Sequence, residues 1–243
     1  CYRRYGITFD NASVLNEDGS FCEMPVLADW YDVLQESADT RHLAVVLARY
    51  VTGSASAMGS RNEIDLDNKY IVIDTSGMPD DLLLPGIFWA TDIANDLISG
   101  AGGQLSALIS DELWSLVGAN SNPLAAGYIQ EMVKTIRGLG GIAITSTQGM
   151  QDLFSLDNGK YGKGILDSSR IKIVMQMEEQ EARLIQNVLN LSEEEVRQIT
   201  RFRRGEGLLC IGYNHVPIAF YATQKEYDAI TTSPTDLLNR KTC

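Results

Sequence analysis

The spacing of apolar positions changes along the chain. Around Pro25, Met24, Leu27, Tyr31 and Leu34 recur at helical intervals, and Leu43, Val46, Leu47 and Tyr50 form a second stripe. Residues 1 to 60 therefore read as helical, with Pro25 suited to a first turn. The small-residue stretch Gly53-Ser-Ala-Ser-Ala-Met-Gly59-Ser interrupts this pattern and is the best-marked boundary in the sequence. From Asn68 onward, short runs with β-branched residues alternate with longer amphipathic ones. Tyr70-Ile-Val-Ile-Asp74 predicts a strand, and about Leu84 to Ser99 a helix. The run Gln104-Leu-Ser-Ala-Leu-Ile-Ser predicts a buried parallel strand that delivers Asp111 and Glu112 to its carboxyl end.

The next helix is marked by Asn122 as cap and Pro123 at its first position, with Leu124, Tyr128, Met132, Val133, Ile136 and Leu139 as its buried face. Gly138, Gly140 and Gly141 end it. Gly141-Ile-Ala-Ile-Thr-Ser-Thr147-Gln148 reads as another buried strand whose polar residues also arrive at its carboxyl end. Two consecutive strands with polar tips on one edge suit a doubly wound α/β sheet with its site at that edge. Further on, Arg170 to Met177 predicts a strand, and Ser192-Glu-Glu-Glu195 a capping box. Gly207 to Gly212 and Val216 to Ala222 predict a hairpin joined by Tyr213-Asn-His-Val, with His215 as a plain turn residue.

The strand-terminal pair Asp111-Glu112 has the form of a Walker B motif. In nucleotide hydrolases the first acid holds Mg²⁺ through its water shell and the second polarises the attacking water, so the two must be adjacent and follow a rigid strand. An acidic helix start gives the same short pattern. The loop from Asp157 to Gly164 has Gly-Lys pairs, but neither Lys160 nor Lys163 is followed by Ser or Thr, so it fails as a phosphate loop.

Composition narrows the classes. With 243 residues and 44% hydrophobic content, the chain can bury a core of ordinary size. Its longest apolar stretch, Leu82 to Ala94, is interrupted by Pro85, Gly86 and Asp92 and falls short of the roughly 20 residues of a bilayer span. The opening Cys1-Tyr-Arg-Arg-Tyr has no apolar signal region, which gives the expectation of a chain cut from something longer. Four scattered cysteines and two histidines, His42 and His215, lack the spacing of zinc ligands and fit reduced thiols in a cytoplasm. A net charge of −12 opposes sequence-independent DNA binding unless a local basic patch exists.

Several segments together resemble the TraE/CagE-type conjugal transfer ATPases, the VirB-type traffic ATPases of type IV secretion systems. They are Val51-Thr-Gly-Ser, Arg61-Asn-Glu-Ile-Asp-Leu-Asp-Asn68 with the following Lys-Tyr-Ile-Val-Ile-Asp74, Ser110-Asp-Glu-Leu-Trp114, Ile136-Arg137-Gly-Leu-Gly-Gly141, Thr147-Gln148 and Asp152-Leu. Further matches are Ile165-Leu-Asp-Ser-Ser169, Leu191-Ser-Glu-Glu, Gly205-Glu-Gly207-Leu-Leu and Ile230-Thr-Thr-Ser-Pro234. The specificity lies in their order and spacing.

The resemblance implies the C-terminal part of a RecA-like P-loop NTPase core, a mostly parallel sheet flanked by helices, with residues 1–60 as a helical segment and 61–243 as core. It implies ATP and Mg²⁺ as cofactors, Asp111 and Thr147 at the nucleotide with Asp111 on Mg²⁺ through water, and Glu112 as base. Gln148 would sense the γ-phosphate, and Arg137 would reach across a subunit boundary as an arginine finger. A homo-oligomer, expected to be a hexamer, would work in the cytoplasm at the inner face of the membrane with secretion-channel and coupling proteins.

The family's G-x-x-G-x-G-K-[ST] loop and its strand belong upstream of Tyr2. The chain is therefore expected to be a fragment, inactive alone, with an unfilled sheet. A ring-type DNA translocase and a non-catalytic interaction module of the secretion apparatus are the competing readings.

Overall fold

The computed structural model describes residues 1–61, 68–75, 77–100, 104–118 and 121–233. The resemblance segment at 62–67, Asn120 and Pro234 lie outside them. The chain divides into two compact units, Cys1–Asp74 and Thr75–Cys243.

In the first unit, short 3-10 turns at Tyr2–Tyr5 and Asn11–Val14 precede α1 (Leu27–Glu36) and α2 (Arg41–Val51). Asp29 caps the start of α1 by accepting from the Val26 N–H at 2.8 Å, which leaves Pro25 outside the helix rather than in its first turn. The two helices pack together, and the 3-10 turn Ser56–Gly59 folds back onto α2. Gly59 is needed there, because an added Cβ would lie 2.1 Å from the Tyr50 carbonyl. On α2 the buried residue is Ala44; of the expected stripe, Leu47 and Tyr50 are half-buried while Leu43 and Val46 are exposed.

The second unit opens with α3 (Asp80–Gly100), which tolerates Pro85 near its start. It continues with β1 (Ser106–Ser110), the single turn α4 (Trp114–Val117), α5 (Pro123–Thr135), β2 (Gly141–Thr145), another single turn α6 (Met150–Leu153), and α7 (Lys160–Ser168). Then come β3 (Ile171–Met175), α8 (Glu179–Leu189), α9 (Glu193–Ile199), β4 (Glu206–Ile211), β5 (Asn214–Ala219) and α10 (Gln224–Ile230). Asn122 caps α5 by accepting from Leu124 N–H at 2.8 Å, with Pro123 behind it, as the sequence predicts. Gly140 ends the following 3-10 turn in the left-handed region at φ 84°.

β1 and β2 pair in parallel from Ser106 with Gly141 to Ser110 with Thr145, while β3, β4 and β5 form an antiparallel sheet in that order. The core gathers Val117, Ala126, Ile129, Leu153, Ile165, Val174, Ile185, Val196, Ile199 and Leu208 between the sheets and the helices that follow them. Its fully buried residues come from the helices α4 to α9 and from Leu208 of β4.

Five further sequence expectations change. Tyr70 to Asp74 is no strand, because a strand exists only with a ladder partner, and among the described residues no strand pairs with this stretch. The buried face of α5 is Ala125, Ala126, Ile129 and Met132, whereas Leu124 is 78% exposed. The loop expected to run to Gly164 ends early: Asp157, Asn158 and Gly159 take successive left-handed conformations, and α7 starts at Lys160. The hairpin turn is tighter than expected, since β5 already starts at Asn214, which places His215 in the strand. Finally, β1 and β2 are half-buried on one face only, with register partners Ile109 and Ile144, and Ile142 beside them, all exposed. A parallel sheet needs cover on both faces, and among the described residues one face has none.

Candidate functional site

The parallel register decides what meets at the carboxyl end of β1 and β2. Ser110 faces Thr145, so the next residues outward, Asp111 and Ser146, come side by side, and Glu112 lies across from Thr147 and Gln148. The backbone continues the pairing past both strands, with Ser146 N–H donating to Ser110 O at 3.0 Å and Leu113 N–H donating to Ser146 O at 2.8 Å.

Side chains complete the cluster. The Ser146 hydroxyl donates to Asp111 Oδ1, which also accepts from the Glu112 N–H at 3.0 Å. Glu112 is gripped at both oxygens: Gln148 Nε2 donates to Oε1 at 2.6 Å and Trp114 Nε1 donates to Oε2 at 2.6 Å. The Glu112 carbonyl accepts from Ser115 Oγ at 2.8 Å. Glu112 also has φ 52°, a left-handed conformation at a residue with a side chain. Such a backbone costs free energy of order 1 kcal/mol or more and persists where surrounding contacts over-determine it. Here those contacts are the bonds just named.

Asp111 is exposed, and among the described residues its second oxygen, Oδ2, accepts no hydrogen bond. That suits a carboxylate holding a hydrated cation at a strand tip. No group of three or more His, Cys, Asp or Glu side chains among the described residues is arranged to hold a metal ion, so Mg²⁺ here would depend on water and phosphate oxygens for most of its shell. Within that limit the residues fit the ion.

The structure thus brings together Asp111, Glu112 and Gln148. Thr147 adjoins them, but among the described residues its buried Oγ1 has no hydrogen-bond partner. Arg137 is exposed in the 3-10 turn before β2, at the opposite end of the strand and roughly 15 Å of extended chain from the acids.

Sequence reasoning missed two members. Ser146 follows from extending the register by one pair, and Trp114 carries no signal of its own beyond closing the segment Ser110-Asp-Glu-Leu-Trp114. His215, expected in a turn, instead places Nδ1 2.7 Å from Glu195 Oε1, far along the chain from the acids and with a structural task. Cys210, its cross-strand partner, is buried, and burial pushes its thiol above the ordinary range; it is not poised as a nucleophile. Among the described residues, no helix is long and apolar enough to cross a membrane.

Comparison with known proteins gives the following. The family described as the TraG P-loop domain matches residues 26–238. Among solved structures, VirB4 of Thermoanaerobacter pseudethanolicus is similar at TM-score 0.75 and 24% identity, over 93% of this chain and 62% of that one. The chain therefore spans less than two thirds of that protein's length, and the likeness shows a shared P-loop ATPase fold. The genome packaging NTPase B204 of Sulfolobus turreted icosahedral virus 2 aligns at TM-score 0.47 and 19% identity, over 67% of this chain and 74% of that one. No curated relative matches the chain.

Proposed function

Because the chain belongs to the TraG P-loop domain family, we propose that it forms part of an ATP-hydrolysing motor that energises type IV secretion and conjugative transfer. The observation that carries this reading is the cluster at one sheet edge, an exposed Asp111 beside a Glu112 whose carboxylate is hydrogen-bonded to Gln148 on the neighbouring strand.

In this reading Asp111 would hold hydrated Mg²⁺ through Oδ2, which accepts no hydrogen bond among the described residues. When bound, Mg²⁺ would offset the charge of the β- and γ-phosphates. Glu112 accepts a proton from the attacking water. The water oxygen then bonds to the γ-phosphorus as the bond to the β,γ-bridging oxygen breaks, leaving ADP and phosphate. Gln148, whose amide can both donate and accept, links the base to the γ-phosphate and registers its loss. Thr147 contributes a hydroxyl next to the nucleotide once its buried Oγ1 turns outward. Arg137 acts from a neighbouring copy as a finger, which its position far from its own acids supports.

The sequence holds no G-x-x-x-x-G-K-[S/T] motif, so the phosphate cradle has to come from outside these 243 residues. The assembly is a homo-oligomer, a hexamer in this reading, on the cytoplasmic side of the membrane with channel and coupling proteins as partners. ATP hydrolysis by the full-length protein tests the proposal. Asp111→Asn and Gln148→Ala are expected to lower turnover at least about a hundredfold with the fold intact, and wild-type turnover in Asp111→Asn overturns it.

A further inference from the structure

We propose that Trp114 is a positioning residue for Glu112, an assignment that rests on Glu112 being the base. A carboxylate on a two-carbon stem would ordinarily sample several rotamers and turn its plane freely. Here the indole N–H holds Oε2 at 2.6 Å while Gln148 holds Oε1. The two donors differ in what they can do. The Gln148 amide is exposed and free to exchange its acceptor for a phosphate or water. The indole is not, because its ring packs against the core cluster and its nitrogen has a proton to give and no lone pair to receive one. Trp114 is also the first residue of α4, two positions after the left-handed Glu112, so ring, turn and carboxylate are fixed as one rigid piece.

The consequence is a division of labour between the two carboxylate oxygens. Oε2 stays committed to the indole, and Oε1 is the oxygen that faces Gln148 and is released to meet water when Gln148 turns to its ligand. A neutral donor achieves this without cancelling the carboxylate's charge, as an Arg or Lys in the same place would. A core-packed Trp needs no such bond to be buried, and its ring could have met the core with the nitrogen in solvent. That the nitrogen instead lies 2.6 Å from a backbone-strained acid is the observation a purely structural role leaves unexplained.

Trp114→Phe in the full-length protein keeps an aromatic ring against the core and removes the N–H. We expect kcat for Mg·ATP hydrolysis to fall about ten- to a hundredfold, with KM unchanged within about twofold, because the loss is one of orientation and not of nucleotide binding. The contact itself is read independently by ultraviolet resonance Raman, in the indole band sensitive to N–H hydrogen bonding. That band is expected to move in Glu112→Gln and to lose the strongly bonded component in Trp114→Phe. Unchanged kcat in Trp114→Phe overturns the proposal, as does a rise in KM alone or an indole band indifferent to Glu112→Gln. Undiminished hydrolysis in Glu112→Gln is a separate failure, since it removes Glu112 from the chemistry while leaving the Raman contact intact.

Discussion

Glu195 offers the sharpest test of how the second unit is held together. Its carboxylate accepts from the Ser192 N–H at 2.6 Å, the Ser192 hydroxyl at 2.7 Å and His215 Nδ1 at 2.7 Å. It closes the capping box of α9 and ties that helix to β5. The Glu195 and His215 side chains are 22% and 10% exposed, so the bonds are partly shielded from water. An N-cap interaction contributes about 1 kcal/mol and a hydrogen bond to a charged group about 1.5 to 3 kcal/mol. Because the three bonds share one acceptor and do not add in full, Glu195→Ala is expected to cost about 2 to 4 kcal/mol.

The pH dependence has a definite sign. Burial pushes the Glu195 carboxyl up, but the hydrogen bonds from Ser192 and His215 outweigh it and leave its pKa below the ordinary 4.5. A group depressed in the folded state contributes stability that is present above its unfolded pKa and is lost as pH falls through the folded one. Urea unfolding followed by circular dichroism at pH 7 and again at successive steps below pH 4.5 measures this. The gap between wild type and Glu195→Ala should be full at pH 7 and shrink on acidification. A gap below about 0.5 kcal/mol at pH 7, or one that widens in acid, refutes the reasoning.

Other consequences are simpler. Thr147→Val deletes a buried hydroxyl that has no partner among the described residues, so unfolding assays should show it neutral or more stable by up to about 1 kcal/mol; a clear loss would mean the hydroxyl is bonded. Gly118→Ala would set a Cβ 2.4 Å from the Trp114 carbonyl and 2.9 Å from that of Asp152, and a drop of about 1 to 3 kcal/mol is expected in the same assay. Replacing Ile109 and Ile144 together by Thr on the uncovered face of β1 and β2 should reduce dye binding and light scattering by these 243 residues while leaving their circular dichroism unchanged; unaltered scattering would show that this face does not drive association.

Much of the edge cluster was legible because it depends on local chemistry. An apolar run with acids at its end, and a second run with Gln148 at its end, bring those residues together once the strands pair in parallel. The caps at Asn122 and Ser192 were legible for the same reason, since each needs only a side chain and the first turn of its own helix. What depended on distant partners was not. Tyr70 to Asp74 has the composition of a strand, but among the described residues no strand pairs with it, and Leu124 occupies an apolar position that points outward because α5 buries Ala125 and Ala126 instead. Ser146 and Trp114 carried no signal as single residues. One gains its place from the register and the other from the left-handed turn at Glu112, which brings the indole back onto the carboxylate.

In the proposed motor Glu112 activates water beside an Asp111 that would hold Mg²⁺. The most direct measurement is single-turnover hydrolysis by full-length Glu112→Gln alongside equilibrium binding of Mg·ATP. Binding should stay near wild type while the hydrolysis rate falls by about a thousandfold or more. Hydrolysis at the wild-type rate, with binding intact, would contradict the account.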